Sequence, residues 1–356
     1  MNKNTLVFLA LSLPLSALAL WLALRNVPMA ELAGYMGSIR YEWAVLSAGL
    51  IFVSFILRTL RWQIIVNSVH KIGFSGAFHP LMIGFMLNCI LPGRAGEVAR
   101  PVILQQNSQV PFTTGFATVA AERVFDMAIL IMLFAIVLAK VPIDAVPEMT
   151  FGQIRLNRQT LEMAAGGMMK LCILAIAAML LLVFARTRQW ITGWILKSPT
   201  LLFFLSSSAK EWVERKAARP VVKLMENVAS GFSLLKSGRH FAACLALSVL
   251  IWIVQGLSFY IFSLGCPGID ITIAQMFTVM VLICFFIAMP SVPGYWGLWE
   301  AGGIFALSLF GVLSKDAAGF TLANHALQIL PIVIIGLISA VISGVNIMKI
   351  RPEKAV

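Results

Sequence analysis

Between Leu6 and Leu24 the chain sets nineteen residues in a row without a charge, and runs of similar length with few or no charges recur near 43–60, 125–141, 166–185, 241–264 and 320–346. At 1.5 Å of rise per residue, about 20 helical residues cross the roughly 30 Å hydrocarbon core of a bilayer. Six such runs predict an all-α polytopic membrane protein. A membrane β-barrel needs alternating segments of about ten residues, and the sequence has none. Its composition, 60% hydrophobic and 12% charged, lies outside the range of soluble domains. The first run follows Lys3 and contains Ala17-Leu18-Ala19, which resembles a cleavage site. It is longer than the apolar core of a secretory signal, so it is read as a retained first span.

The formal charge of +12 raises nucleic acid as a partner. In a membrane protein the same excess marks cytoplasmic loops and anionic lipid head groups, and no nucleic acid is expected. Cys89, Cys172, Cys244, Cys266 and Cys284 are odd in number and scattered, with no CxxC pair. They read as small packing residues.

Orientation follows from the basic loops. Residues 186–240 hold ten Lys/Arg and three acids, a net of +7, which places this loop in the cytoplasm. Its stretch SSSAKEWVERKAARPVVKLMENV reads either as a surface helix or as a solvated connector. The tail with Lys349, Arg351 and Lys354 is cytoplasmic too, as is the N-terminus. Tracing back from the basic loop, residues 61–124 begin and end inside, yet contain the apolar run 77–91 and the mixed run 112–124. Residues 272–319 begin and end outside, yet contain runs 272–289 and 301–313. Each region is expected to form a re-entrant helical pair, entering from opposite faces, within a single membrane domain spanning 1–356.

Their break points are alike. Pro92-Gly93-Arg94-Ala95-Gly96 precedes Glu97, and Pro293-Gly294-Tyr295-Trp296-Gly297 is followed by Glu300. Similar breaks in oppositely inserted hairpins predict an inverted repeat, whose broken helices meet near the midplane around a binding site. A broken helix frees backbone groups that survive in a bilayer only inside protein or beside a wet cavity.

Charges cluster at the first break. Arg94 and Arg100 flank Glu97, which lies in the first turn of a helix starting near Ala95, where the dipole favours a negative charge. Arg94 then projects into the break, and its planar fork suits a phosphate. Glu122 and Asp126 share a helical face with Arg123 beside them, and Arg58 and Arg61 lie near the inner end of the second span. A charge at a helix centre costs about 3 kcal/mol or more unless paired. Arg58, Arg61, Arg94, Arg100 and Arg123 stand against Glu97, Glu122, Asp126 and Glu300, a surplus of one cation that an anionic head group would neutralise. Blander readings stand beside these. Arg58 and Arg61 snorkel to the interface, Glu122, Arg123 and Asp126 form a structural network, and His325 is a packed histidine. Trp296 and Trp299 are either interfacial belt residues or cavity walls. No HExxH, GxSG, GxGD or Walker A pattern occurs, and no motif asks for a metal or other cofactor.

RTLRW, GFMLNCILPGRAGEVAR, ERVFD and PSVPGYWGLWE, in this order, resemble the lysylphosphatidylglycerol synthase transmembrane-region family, also called flippase-like or UPF0104 proteins. The likeness runs from about residue 5 to 350. Asn88, Pro92, Gly93, Arg94, Gly96, Glu97 and Arg100 fit one family motif. Glu122, Arg123 and Asp126 fit the next, and Pro290, Pro293, Gly294, Gly297 and Glu300 the last. There the family pattern is closer to PGGLGxxE, and Tyr295 and Trp296 add bulk that narrows the bend. The resemblance implies a domain that moves a lipid, or a lipid-linked head group, between leaflets. In multidomain relatives a soluble aminoacyltransferase follows, and with the sequence ending at Val356 that activity is expected to be absent.

These readings lead to a lipid translocase of the bacterial inner membrane, its partners being lipids with anionic or lipid-linked head groups. Arg61, Asn88, Arg94, Glu97, Arg100 and Glu300 are the expected substrate-binding residues, with Arg58, Glu122, Arg123, Asp126 and His325 as the supporting network. Two rival readings are a membrane enzyme using Glu122 and Asp126 as acid and base on a head group, and a non-catalytic subunit partnered with an envelope-biosynthesis enzyme.

Overall fold

The computed structural model describes residues 21, 29–91, 94–140, 149–151, 154–156, 166–167, 170, 174, 185–201, 213–219, 222, 225–226, 237–288 and 293–345. Most of the expected spans at 6–24 and 166–185, and the motif residues Pro92, Gly93 and Pro290, lie outside them.

The chain is an all-α polytopic membrane protein. In order, the helices are α1 (Met29–Ser38), α2 (Tyr41–Asn67), α3 (Phe74–Ile90), α4 (Ala95–Ser108), α5 (Phe112–Lys140), α6 (Ala185–Leu201), α7 (Gly238–Ser263), α8 (Ile273–Ile287), α9 (Leu298–Ser308) and α10 (Ser314–Ile342). Two three-residue strands, Met149–Phe151 and Ile154–Leu156, pair antiparallel after α5. Among the described residues of the basic region after α6 is a π-helical turn, Glu214–Ala218, with Arg219 ion-paired to Glu214, and much of the stretch read as a surface helix or a connector lies outside the described residues.

α2, α7 and α10, of 27, 26 and 29 residues, are long and apolar enough to cross a membrane. They present large apolar side chains such as Val45, Leu250 and Val341 outward, as a lipid solvent requires. Their inward faces mix large apolar residues such as Ile51, Phe55 and Phe259 with small and polar ones such as Ser47, Ser258 and Asn324. Ser47 donates to the Ser258 carbonyl across α2 and α7 at 2.8 Å, the kind of contact that replaces hydrophobic association inside a bilayer.

The starts of α2 and α10 and the end of α7 lie together. Arg40 donates to the carbonyls of Gly265 and Leu264, the Tyr35 hydroxyl donates to Pro267, and Gly268 abuts Asp316. These are the three ends that the charge pattern assigns to one side.

Four shorter helices pair into two hairpins. α3 and α4 have 17 and 14 residues, about 26 and 21 Å long. They run antiparallel, with Gly76 against Ser108 at one end and Gly84 against Gly96 near the other. α8 and α9 have 15 and 11 residues, about 22 and 16 Å, and pack through Phe286 and Phe305. The first hairpin leaves from the C-terminal end of α2. The second leaves from the end where α2 begins.

The arms of the first pair differ from the expectation. Its second arm is α4, at 95–108, and the run 112–124 is the opening of α5, continuous with the long apolar stretch that follows. Arg94, Glu97 and Arg100 interrupt the apolar signal of α4, and Pro101 sits inside it, so hydropathy alone passes over a helix that exists because its charges are partnered. α1 was also passed over, being only ten residues long.

Candidate functional site

At the tip of the first hairpin the chain turns through Arg94, which adopts a left-handed backbone (φ 55°, ψ 38°). Such a conformation costs a non-glycine residue roughly 1–2 kcal/mol. Asn88, near the end of α3, accepts a 2.8 Å hydrogen bond from the Gly96 N–H, which satisfies one of the free donors at the start of α4. Asn88 thus ties the break together. Gly84 and Gly96 meet so closely that a Cβ on Gly96 would overlap the Gly84 carbonyl, so this crossing admits no side chain.

Behind the break lies a ladder of charges. Glu122, fully buried on α5, receives a fork from Arg100, with Nη2–Oε2 at 2.7 Å and Nη1–Oε1 at 3.4 Å. It also pairs with Arg123 at 2.9 Å and with Arg61 at 3.4 Å. Arg61, likewise fully buried, donates to Asp126 at 2.7 Å and to the Ser248 hydroxyl at 2.8 Å. The Arg100 guanidinium lies 4.2 Å from the centre of the Trp62 ring, a cation–π contact strengthened by desolvation. The ladder continues outward from Arg123 to Glu97 at 3.9 Å, and from Glu97 to Arg94 at 4.0 Å. Four helices, α2, α4, α5 and α7, contribute to it.

Among the described residues, two cations at the edge of the ladder lack a close carboxylate contact. The Arg94 side chain is 47% exposed and its only ion pair among the described residues is the long one to Glu97. It also reaches the Ile287 carbonyl, at 3.4 Å, at the end of α8. Arg58 has no ion pair among the described residues. Its Nε donates to Ser54 at 3.3 Å, and it sits over Phe85, within electrostatic reach of Asp126, Glu122 and Cys284. Cys284 and Ile287 are one turn apart on α8, so Arg58 and Arg94 both face its last turn. Tyr295, in the second break, lies within reach of Arg94, Glu97 and Arg123. The hairpins therefore meet tip to tip, with Gly294 beside the Cys89 carbonyl.

Apart from Arg94 and Glu97 at the hairpin tip, the expected site residues separate into three groups. Arg61 and Arg100, expected to bind substrate, are held by Glu122 and Asp126. Asn88 secures the break. Glu300 lies with His325, away from the arginine ladder: His325 Nδ1 is 2.5 Å from Glu300 Oε1 and Nε2 is 2.8 Å from the Gly294 carbonyl. The arginine cluster thus holds five cations against three carboxylates, a larger surplus than the tally that included Glu300. Trp296 and Trp299 flank the His325 ring at 4.4 and 4.6 Å, which makes them walls of this second cluster. Pro293, Gly294 and Gly297 form the second break, where Gly294, Tyr295 and Gly297 all have positive φ. Ser248 and Trp62 were not singled out from sequence. A serine in an apolar run and a tryptophan beside a basic pair give no signal until packing brings a guanidinium to them.

A family profile described as the lysylphosphatidylglycerol synthase TM region matches residues 8–336. Two UPF0104 membrane proteins of Methanothermobacter thermautotrophicus are similar along most of their length. One is 23% identical over 289 residues, 80% of this chain and 81% of the relative. The other is 27% identical over 299 residues, 81% of this chain and 80% of the relative. A 136-residue stretch, 37% of this chain, is 30% identical to the glycosyltransferase AglD of Haloferax volcanii, of which it covers 21%. No solved structure matches.

Proposed function

The chain belongs to the lysylphosphatidylglycerol synthase transmembrane-region family, and from that premise we propose that it is a lipid translocase, moving an anionic or lipid-linked head group between leaflets of the cytoplasmic membrane. The observation that carries this reading is the pair of under-matched cations, Arg58 and Arg94, at the meeting point of two hairpins whose helices are each shorter than the bilayer core. Both hairpins are re-entrant in this reading, one from each face, as halves of an inverted repeat. Both termini and the basic loop are cytoplasmic.

In this reading the head-group phosphate binds Arg94 and Arg58 and passes along the hairpin tips, while the tails stay in lipid. Glu97 occupies Arg94 between substrates and yields it to phosphate, since a contact at 4.0 Å is weaker than a forked pair to a phosphate. Arg61, Arg100, Glu122 and Asp126 hold the framework. A head-group transferase would need a carboxylate free to exchange a proton. The positions of Glu122 and Asp126 among arginines favour transport over that chemistry, which is otherwise suggested by the name of the AglD relative.

The test is a reconstitution. Vesicles carrying the purified protein and fluorescent anionic lipids, polyprenyl phosphates included, are treated with a membrane-impermeant quencher. Transbilayer movement faster than in empty vesicles is the expected result. Its absence for every lipid class overturns the proposal.

A further inference from the structure

α10 has an 18-residue window of mean hydropathy 2.3, yet Thr321, Asn324, His325 and Gln328 fall at i, i+3, i+4 and i+7 and are all buried. They form one polar stripe on an apolar helix. Intramembrane polar and ionisable residues of this kind mark ion and proton routes. Gln328 is tied to Gln255 and Ser258 on α7. In contrast, both polar atoms of the Asn324 side chain, the Thr321 hydroxyl and the Trp299 indole N–H have no hydrogen-bond partner among the described residues. Buried polar atoms demand partners, and a polar face of this kind suits water.

His325 sits at the centre of the stripe, and its contacts fix a proton count. A carbonyl oxygen only accepts, so Nε2 must donate to Gly294. Nδ1 then faces Glu300 Oε1, and two lone pairs at that separation repel unless a further proton lies between them. The other carboxylate oxygen of Glu300 accepts the Gly297 N–H at 2.7 Å. The pair therefore holds one exchangeable proton, on Nδ1 or on Oε1, and its loss to water leaves a buried negative charge. Other elements against α10 bring no second titratable contact to His325 among the described residues. α1 places Tyr35 at Gly319, α2 directs Arg61 to Asp126 and Arg58 to Ser54, and α3 has Cys89 beside Gly294 rather than beside His325. α7 offers Gln255 and Ser258, which do not titrate, and Asp316 of α10 itself lies against Gly268.

We propose that His325 and Glu300 form a proton-binding site that couples proton movement to head-group movement. The inference rests on the translocase reading. With the proton present, His325 clamps the second break to α10 through Gly294 and Glu300. When the proton leaves along the Asn324–Thr321 face, the clamp loosens. Because that break touches the first hairpin at Cys89 and Arg94, its opening changes the space in which Arg58 and Arg94 meet an anion. Protons thereby supply a driving force for directed head-group movement.

The experiment uses the full chain in vesicles holding trapped pyranine and a fluorescent anionic lipid, with an imposed gradient of about one pH unit, a factor of about ten in proton activity. The expected result is lipid movement that accelerates severalfold with the gradient, accompanied by a pyranine signal of proton flux. His325→Gln and Glu300→Gln should each abolish the gradient response. Lipid movement indifferent to the pH gradient, a response that persists in both variants, or a dependence on sodium instead overturns the proton site while leaving the translocase standing. Absence of lipid movement under every condition overturns the translocase and this inference with it. If both variants fail to fold, the wild-type gradient response and proton flux decide.

Discussion

A guanidinium removed from water needs a carboxylate, a ring face or a ligand, and the arginines here divide along that line. Arg100 has Glu122 and the face of Trp62, and Arg61 has Asp126, Glu122 and Ser248. Removing one partner from such a set leaves an uncompensated buried charge, which costs about 3–5 kcal/mol. Glu122→Ala is therefore expected to lower the unfolding midpoint in detergent sharply, with loss of a monodisperse peak on size exclusion. Arg94 is half exposed and weakly paired, so Arg94→Ala should leave the midpoint within a degree or two while abolishing anionic lipid movement. Arg94→Lys keeps the charge and loses the fork, and should retain part of the rate. Equal loss of stability in Arg94→Ala and Glu122→Ala would place Arg94 in the framework and remove it from the substrate path.

At the scale of elements, the first hairpin combines a close backbone crossing with buried side chains such as Ile83, Leu87 and Ile103. Gly84 and Gly96 leave room for one another only without a Cβ, so Gly96→Ala is expected to destabilise by on the order of 3 kcal/mol through overpacking. Asn88→Ala, which strips the Gly96 N–H of its acceptor, should cost about 1–3 kcal/mol. Thermal unfolding followed by intrinsic tryptophan fluorescence measures both, and a smaller effect for Gly96→Ala than for Asn88→Ala would contradict the crossing geometry. The sequence shows why this element was only partly legible. PGxxG before a glutamate marked both breaks, and 272–289 was close to the observed α8. The helix expected to start near Ala95 does not read as the hairpin's second arm because Arg94, Glu97, Arg100 and Pro101 hide it from any apolar-run criterion, and the Glu300–His325 contact joins residues 25 apart on two helices whose packing no pattern announces. Glu97 and Glu300 looked equivalent in sequence. Arg123 reaches one and His325 the other, and only the tertiary arrangement distinguishes them.

For the molecule as a whole, the basic-residue pattern and the packing of the helices bear on the same three helix ends. Charge assigns the sequence around Cys266–Asp270 and the start of α10 to the outside. The structure brings those segments to the start of α2, through Arg40, Tyr35 and Gly268, without reference to any membrane. The first hairpin begins at the other end of α2, and α3 at about 26 Å falls short of the roughly 30 Å core. A chain leaving that end and returning to it exposes both of its hairpin ends on one side. Single cysteines at Lys71 and Asn107, in a background with the native cysteines replaced, are accordingly expected to react with an impermeant maleimide only from the cytoplasmic face. Cysteines at Asp270 and Lys315, which bracket the second hairpin, should react only from the opposite face. Labelling in intact cells and in inverted vesicles separates the two sets. If Lys71→Cys and Asn107→Cys react from different sides, the first hairpin crosses the bilayer once, and the meeting of two re-entrant tips around Arg58 and Arg94 is lost.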